Sequence, residues 1–590
     1  MKLRFLPLVT AAVLAFAAAS MSVHAQTTQL AIMGSSAQYQ EMGQADFTQK
    51  GCIFIDANKS WNIKDVRGTA PNNVNITDTA AAWVAWTPAG GSCSSPGTGS
   101  VIDFFMNTDS VLGNRCFFAS PSCAVSTSAS SFTCATAFPD TTCTVLPSSI
   151  ETAINASGSG THINVASTDI RPEDALFATD RALTPCGQPI VAGSQYLGFG
   201  QQTTDANQAN PITGAAWTVN GFTMLGGSFN IANFAISGND PASGAAIANG
   251  TGNGWVVVAL GATPELVFVN PSNGAGLGSL AVTNINRATL AGFVDGTFGA
   301  VSDIIPQSFS TSPAEVPVNV IVREPVSGTY NTFEYAIPNS LENQTSQEVG
   351  LAAAAAHTAG ASFPPYYCTG ATVTNSNVSG PTWAGQAAPF NPLQETDSHS
   401  NVTSTRSRAI GTGNMVKTVE NVKDSLGYAF WSQSNFSSAS ATNAKYLTVD
   451  GVDPIQEVWQ DGEIPTKGND LLSNVSFSHV KDGSYPIWSI LRNVTDSSHA
   501  SLLTTLVTSE QTFVTPDYPD FVLKDQLSVV RSHFSPPGIT YPGNGGSPCN
   551  GDAGAAEAGG DVAGMVYSQQ ADNDYAADNL SSCGEVGHRQ

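Results

Sequence analysis

Short apolar runs alternate along this chain with segments of helical period, and that alternation sets the first expectation of its architecture. Residues 30–33 are a compact apolar run that predicts a strand, and residues 34–37 then open a helix reaching about Phe47. Residues 149–154 predict a short helix, and residues 162–166 a strand that ends at Ser167, Thr168 and Asp169. Residues 255–260 and 265–269 predict two strands, 286–294 a helix, 318–322 a strand and 331–337 the first turns of a helix. Residues 413–422 predict a further helix that leads into a strand over 427–431. Alternation of this kind predicts an α/β protein with ligand-ready loops at the carboxyl ends of its strands.

Two long segments depart from the pattern. From about residue 55 to 145 the chain is rich in Gly, Ser, Thr and Pro, and it carries Cys93, Cys116, Cys123, Cys134 and Cys143, with Cys52 just before it. Such a stretch builds little core alone, so it predicts a disulfide-braced insertion, bounded at about 50–145. From about Pro536 a Gly/Ala/Asp-rich tail holds Cys549 and Cys583, which could close it into a loop. Asp572, Asp574 and Asp578 there lack the glycine and closing glutamate of a calcium loop, and read as a solvated acidic face. The even total of ten cysteines, completed by Cys186 and Cys368, favours disulfides throughout. Zinc is disfavoured, because no CxxC pair and no histidine accompany the first six.

The start of the chain changes the picture. Lys2 and Arg4 precede a mostly apolar run from Phe5 to Ala19, and Val23 and Ala25 place small residues before Gln26, which predicts a cleaved signal peptide over 1–25. No later run approaches the roughly 20 apolar residues of a membrane span, so the expectation is a periplasmic or extracellular protein that is not integral to a membrane. The formal charge of −24 loses two positive side chains with that peptide. An acidic chain of this kind is a poor partner for nucleic acid or anionic membrane, both of which need a basic footprint.

Chemistry concentrates at Arg323, Ser327, Gly328 and Thr329. A guanidinium four residues ahead of Ser-Gly-Thr, between a predicted strand and a predicted helix, makes an oxyanion cradle. The free N–H groups and positive dipole end of a helix start favour an anion, and the arginine adds a fork that fits phosphate or carboxylate oxygens. The plainer reading is that Ser327 and Thr329 cap a helix and Arg323 makes a surface ion pair.

These pieces resemble the phosphate-binding, periplasmic substrate-binding proteins of ABC transporters, a branch of the type II periplasmic binding protein fold. The family's Arg-x-x-x-Ser-Gly-Thr element matches Arg323, Ser327, Gly328 and Thr329 at the same spacing. Its Ala-Ser-Asp element resembles Ala166, Ser167 and Asp169 with Thr168 inserted, and its Ile-Gly-Tyr strand resembles Leu426, Gly427 and Tyr428. Its opening loop is matched more loosely by Gly34, Ser35, Ser36 and Ala37. The resemblance implies two lobes, joined by crossing strands, that close on a dehydrated tetrahedral oxyanion, most of all phosphate. It divides the mature chain into a first lobe over 26–260 and 430–535, a second over 261–429 and an extension over 536–590. Arg323 would supply charge, Ser327, Gly328 and Thr329 donors, and Ser35, Ser36 and Ala37 the facing donors. A serine at the start of the second helix would be Ser149, with Ser148, Ser157 and Ser159 as alternatives. Asp169 would accept the proton of hydrogen phosphate and so reject sulfate, unless it caps a helix at 171–174. A transporter permease is the implied partner.

An enzyme competes with this reading. The chain has no Gly-x-Ser-x-Gly, no His-Glu-x-x-His and no Walker loop, and His162, His357, His399, His479, His499 and His533 show no metal-ligand spacing. No cofactor, metal or catalytic residue is therefore expected. An exported scaffold or adhesion protein also suits the Ser/Thr/Asn/Gly-rich composition, and a phosphoester hydrolase would need a metal or nucleophile the sequence does not display.

Overall fold

The structure is a computed structural model. It describes residues 26–55, 60–64, 73–77, 82–119, 122–127, 142–143, 146–170, 255–295, 298–304, 316–323, 327–337, 403–409, 411–438, 443–459, 461–466, 471–512, 520–523 and 526–530, with isolated positions and short strand pieces elsewhere. The signal peptide, Cys134, Cys186, Cys368, Cys549, Cys583 and the aspartates of the tail lie outside the described residues, as does most of 536–590.

A large mixed sheet organises the molecule, with fifteen strands among the described residues. Its first half is built on β1 (Thr27–Gly34), β2 (Cys52–Ile55), β3 (Ala82–Trp86), β4 (Val101–Asn107) and β6 (Val165–Thr168), while β5 (Ala124–Thr127) belongs to a smaller sheet. β1 lies parallel to both β4 and β6, so that Gly34 stands beside Asn107 on one side and Ser167 on the other. The long strand β7 (Trp255–Val269) carries the ladder into the second half, which holds β8 (Asn319–Arg323), β9 (Thr403–Ala409), β10 (Ser425–Phe430) and β11 (Lys445–Val449). There β8 runs parallel to β9 and β10. Last in this series come β12 (Trp488–Asp496), which pairs antiparallel with β6 and the first part of β7, and the short β13 (Val522–Leu523).

Helices cover both faces. α1 (Tyr39–Lys50), α2 (Ser110–Phe118), α3 (Ser148–Asn155) and α8 (Ala500–Gln511) serve the first half; α4 (Arg287–Asp295), α5 (Gly328–Ala336), α6 (Thr412–Asn421) and α7 (Gln433–Ser438) serve the second. Coverage on both sides explains why the strands read as continuous apolar runs rather than alternating ones. Along β1, Ala31 and Met33 enter one core while Leu30 and Ile32 enter the opposite one. Along β7, Phe268 and Val267 divide in the same way between the two cores of the second half.

Three expectations change. The insertion is not an appendage: β2, β3, β4 and α2, all within 50–145, continue the sheet beside β1, and Trp83, Trp86, Phe104 and Phe105 are wholly buried. Its loops made the segment look poor in core, whereas its strands are apolar on both faces. The expected braces are present, since Cys52 pairs with Cys93 and Cys116 with Cys123, at Cα separations of 5.5 and 4.8 Å. Second, the two strands expected over 255–269 are one. Pro264, which has no N–H to give a ladder, stands where pairing passes from β12 to β10: Pro264 pairs with Trp488 and Glu265 with Phe430. Third, the chain does not return to the first half at residue 430. β11 pairs with β7, and Ile455, Val475 and Val480 join the core of Phe268, so the return comes at β12.

Candidate anion-binding site

Five loops meet where parallel strands end. β1 runs out at Gly34 into Ser35, β4 at Asn107 into Asp109, and β6 at Thr168 into Asp169. From the second half β8 ends on Arg323 itself and β9 at Ala409, just before Thr412 opens α6. α2, α5 and α6 all begin here, so three sets of helix-start N–H groups, which lack intrahelical acceptors, face one locus. A crevice at strand carboxyl ends is where open α/β sheets place ligands.

Arg323 is 1 % exposed. Its guanidinium donates to Thr329 Oγ1 at 3.0 Å and Thr412 Oγ1 at 3.3 Å, and Asp109 Oδ1 lies 3.6 Å away. Its backbone N–H donates to the Tyr428 hydroxyl at 3.2 Å, and the Tyr428 ring stacks on Phe333 of α5 with centroids 3.8 Å apart. The strand end and the helix start are thus tied together through one tyrosine. Ser327 caps α5, accepting from the Tyr330 N–H at 3.4 Å, while its hydroxyl proton stays available to another acceptor.

Asp169 faces this group from the first half. The Ser35 hydroxyl donates to its carboxylate, the Ser110 hydroxyl accepts from its N–H at 3.1 Å and also bonds the carboxylate, and its carbonyl accepts from Ser489. Burial pushes its pKa up to about 6, with the two hydroxyls and Arg323 pulling it back. Thr168 does not redirect it: the Thr168 hydroxyl turns inward, donating to Ile170 O at 2.6 Å and accepting from Asn114 at 2.9 Å. The Asp169 carboxylate therefore points into the locus; the helix start over 171–174 that it was expected to cap as the alternative lies largely outside the described residues.

The two halves touch. A Cβ on Gly328 would press on Asp169 Oδ2 and lie 2.5 Å from Ser110 Oγ, so only glycine lets α5 start this close. Ser36 Oγ meets Thr412 Oγ1 at 3.1 Å, and the Ala37 N–H donates to Ser35 Oγ at 3.1 Å. Gly34, at φ 144°, lets the chain turn into this loop against Ser167 O.

The structure thus brings together Arg323, Ser327, Gly328, Thr329, Asp169, Ser35, Ser36 and Ala37. It does not bring Ser149, which is exposed at the start of α3, a helix that buries Ile150 and Ile154. The hydroxyl expected there comes instead from Ser110. Asp109, Ser110 and Thr412 were missed. An aspartate directly before the run Ser110, Val111, Leu112 is a helix-start signal, but it lay inside the supposed insertion. Among the described residues, no group of three His, Cys, Asp or Glu is arranged to hold a metal ion, and no helix is long and apolar enough to cross a membrane.

No protein-family model matches the chain, and no curated protein matches it. Solved structures give a distant resemblance of fold. An ABC-type phosphate transport receptor from Vibrio cholerae is 13% identical, with 45% of this chain and 73% of that one covered and a TM-score of 0.23. A phosphate ABC transporter substrate-binding protein from Clostridium perfringens, with bound phosphate, is 13% identical at a TM-score of 0.22; the match takes in 44% of this chain and 65% of that protein's length. A high affinity periplasmic phosphate-binding protein (PfluDING) bound with phosphate is 11% identical, with 84% and 92% covered and a TM-score of 0.33.

Proposed function

We propose that this chain is an exported solute-binding protein that captures a protonated tetrahedral oxyanion, hydrogen phosphate above others, between two lobes corresponding to the halves of the sheet. One observation carries the reading: a buried guanidinium from the second half and a buried carboxylate from the first face the same locus, amid helix starts and hydroxyls. A guanidinium and helix starts call for negative charge. A carboxylate tolerates that charge only if the anion also brings a proton to donate. Hydrogen phosphate and hydrogen arsenate meet both demands, and sulfate meets one.

The role is binding, not catalysis. Asp169 bonds the Ser35 and Ser110 hydroxyls, an arrangement that suits acceptance of a ligand proton, and Asp109 faces the Arg323 guanidinium. Export through the segment 1–25 to a periplasmic or extracellular location, with a transporter permease as partner and no role for nucleic acid, completes the proposal. Isothermal titration of the mature protein with phosphate, arsenate, sulfate and molybdate tests it. Tight phosphate and arsenate binding with weak sulfate binding is expected. Binding of none of the four would leave a scaffold, and turnover of a phosphate ester would make it an enzyme.

A further inference from the structure

Ala37, which follows the Ser35–Ser36 loop, also lines a cavity of about 10 Å³ together with Leu260, Trp431 and three acidic residues, Glu41, Glu510 and Asp520. That volume suits a single water-sized body. The acids come from three separate pieces of chain: Glu41 from α1, Glu510 from the end of α8, and Asp520 from the segment entering β13. They converge beside the register shift of β7 between Ala259 and Gly261, where the first half of the sheet meets the end of β10.

Glu510 is fully buried, and neither of its carboxyl oxygens has a hydrogen-bond partner among the described residues. An ionised carboxylate in that position would cost several kcal/mol or more, so it is held as the neutral acid. The carboxyls of Glu41 and Asp520 hydrogen-bond each other, which requires a proton between them because two carboxylates offer only acceptors. Asp520 also accepts from the Gln433 N–H at 2.6 Å, which ties the cluster to α7. Among the described residues, the charged groups that act on Glu510 are Glu41 from α1 and Asp520 from the β13 segment, both acidic. The cluster does not have the arrangement of a metal site.

We propose that Glu41, Glu510 and Asp520 form a proton-binding site that clamps α1, α8 and the segment before β13 together in acidic surroundings and loosens as its protons leave. Burial, and then repulsion by Glu41 and Asp520, push Glu510 well above the ordinary carboxyl range, and burial raises Asp520 to about 6. Raised folded-state values mean that the native chain binds protons the unfolded chain does not. The stabilisation is therefore complete below the unfolded carboxyl pKa near about 4 and is lost as pH rises through 6 and beyond.

The test compares urea unfolding of the mature wild-type protein and Glu510→Gln from about pH 5 to about pH 8. The amide copies the neutral acid, so the variant should lose its midpoint less steeply as pH rises and should exceed wild type at the alkaline end. The pH slope should correspond to about one bound proton fewer in the variant. Reading the difference removes the common contributions of Asp46, Asp103 and Asp169. Superimposable curves would overturn the proposal. So would an alkaline wild-type midpoint raised by sodium or calcium chloride and unchanged in the variant, since the cavity would then take a cation. If Glu510→Gln does not fold, Asp520→Asn takes its place, with the infrared band of protonated carboxyl groups followed in the wild type. Absence of such a band in neutral solution overturns the proposal, and its loss on alkaline titration supports it.

Discussion

Around Arg323 a guanidinium and two carboxyl groups share one buried locus, and hydroxyls from Ser35, Ser110, Thr329 and Thr412 fill the gaps between them. At the cavity that Ala37 lines, Glu41, Glu510 and Asp520 meet with no cation beside them among the described residues. Both clusters place a carboxyl group wholly out of water, Asp169 in the first and Glu510 in the second, yet the first keeps its charges by opposing them and the second suppresses its charges by holding protons. The first can exchange one charged partner for another, which is what reversible capture of an anion needs. The second can exchange only protons, and so reports the acidity of its surroundings.

The comparison breaks most readily at Arg323. Arg323→Ala leaves Asp109 and Asp169 facing a helix-start locus with no guanidinium, and anion affinity should fall by about 3 kcal/mol or more, over a hundredfold. Arg323→Lys should recover part of it, because a point charge cannot reproduce the fork. Titration calorimetry with phosphate measures both, and an Arg323→Ala protein that binds as wild type does would end the assignment.

Asp169 sharpens the contrast, being the member of the first cluster that behaves like the second. Wild type should bind sulfate about a hundredfold more weakly than phosphate, and Asp169→Asn should close most of that gap. Since burial pushes the Asp169 pKa up to about 6, wild-type sulfate affinity should rise as pH falls through that value, while the Asn variant stays flat. The ligand-free protein should lose the matching stability as pH climbs through the same range, because the raised folded-state value favours the native state in acid. A flat sulfate profile in wild type would remove Asp169 from the selectivity mechanism.

A smaller effect is expected at Gly328. An added methyl would push against Asp169 and Ser110, so Gly328→Ala should cost about 1–3 kcal/mol in anion affinity, with thermal unfolding of the ligand-free protein less affected. Smaller still, Asp109→Asn removes a carboxylate 3.6 Å from the guanidinium, and phosphate affinity should rise by about 1 kcal/mol or less. A fall would mean that Asp109 chiefly positions Arg323.

Most of the cradle was legible because its residues are consecutive: Arg323 to Thr329 span one strand end and one helix start, and their spacing alone brings them together. Asp169 and Ser35 were legible only by likeness to a family, since nothing local says that the ends of β1 and β6 adjoin. Ser149 misled because every helix start offers a hydroxyl in the same local chemistry, and only tertiary packing decides which helix points inward. Asp109 and Ser110 were hidden by composition, because Gly- and Ser-rich loops diluted strands apolar on both faces. Residues 255–269 were read as two strands where they form one, Pro264 marking its change of partner. The carboxyl cavity left no signal, as Glu41, Glu510 and Asp520 each look like ordinary surface acids in sequence.

The pairing of β7 with β12 bears on the order of assembly. Val256 lies against Thr495, and β6, whose other neighbour is β1, also rests on β12. One of the last long strands to be synthesised is thus an interior strand, and the earlier ones flank a gap until it arrives. Sequence-distant pairings of this kind fold slowly. A nascent chain should stay open until residue 496 is available, and a chain translocated across a membrane as an unfolded thread would gain from the delay. Ribosome-bound chains stalled before β12 should accordingly remain protease-sensitive across β1 and β6, while those stalled beyond it become resistant.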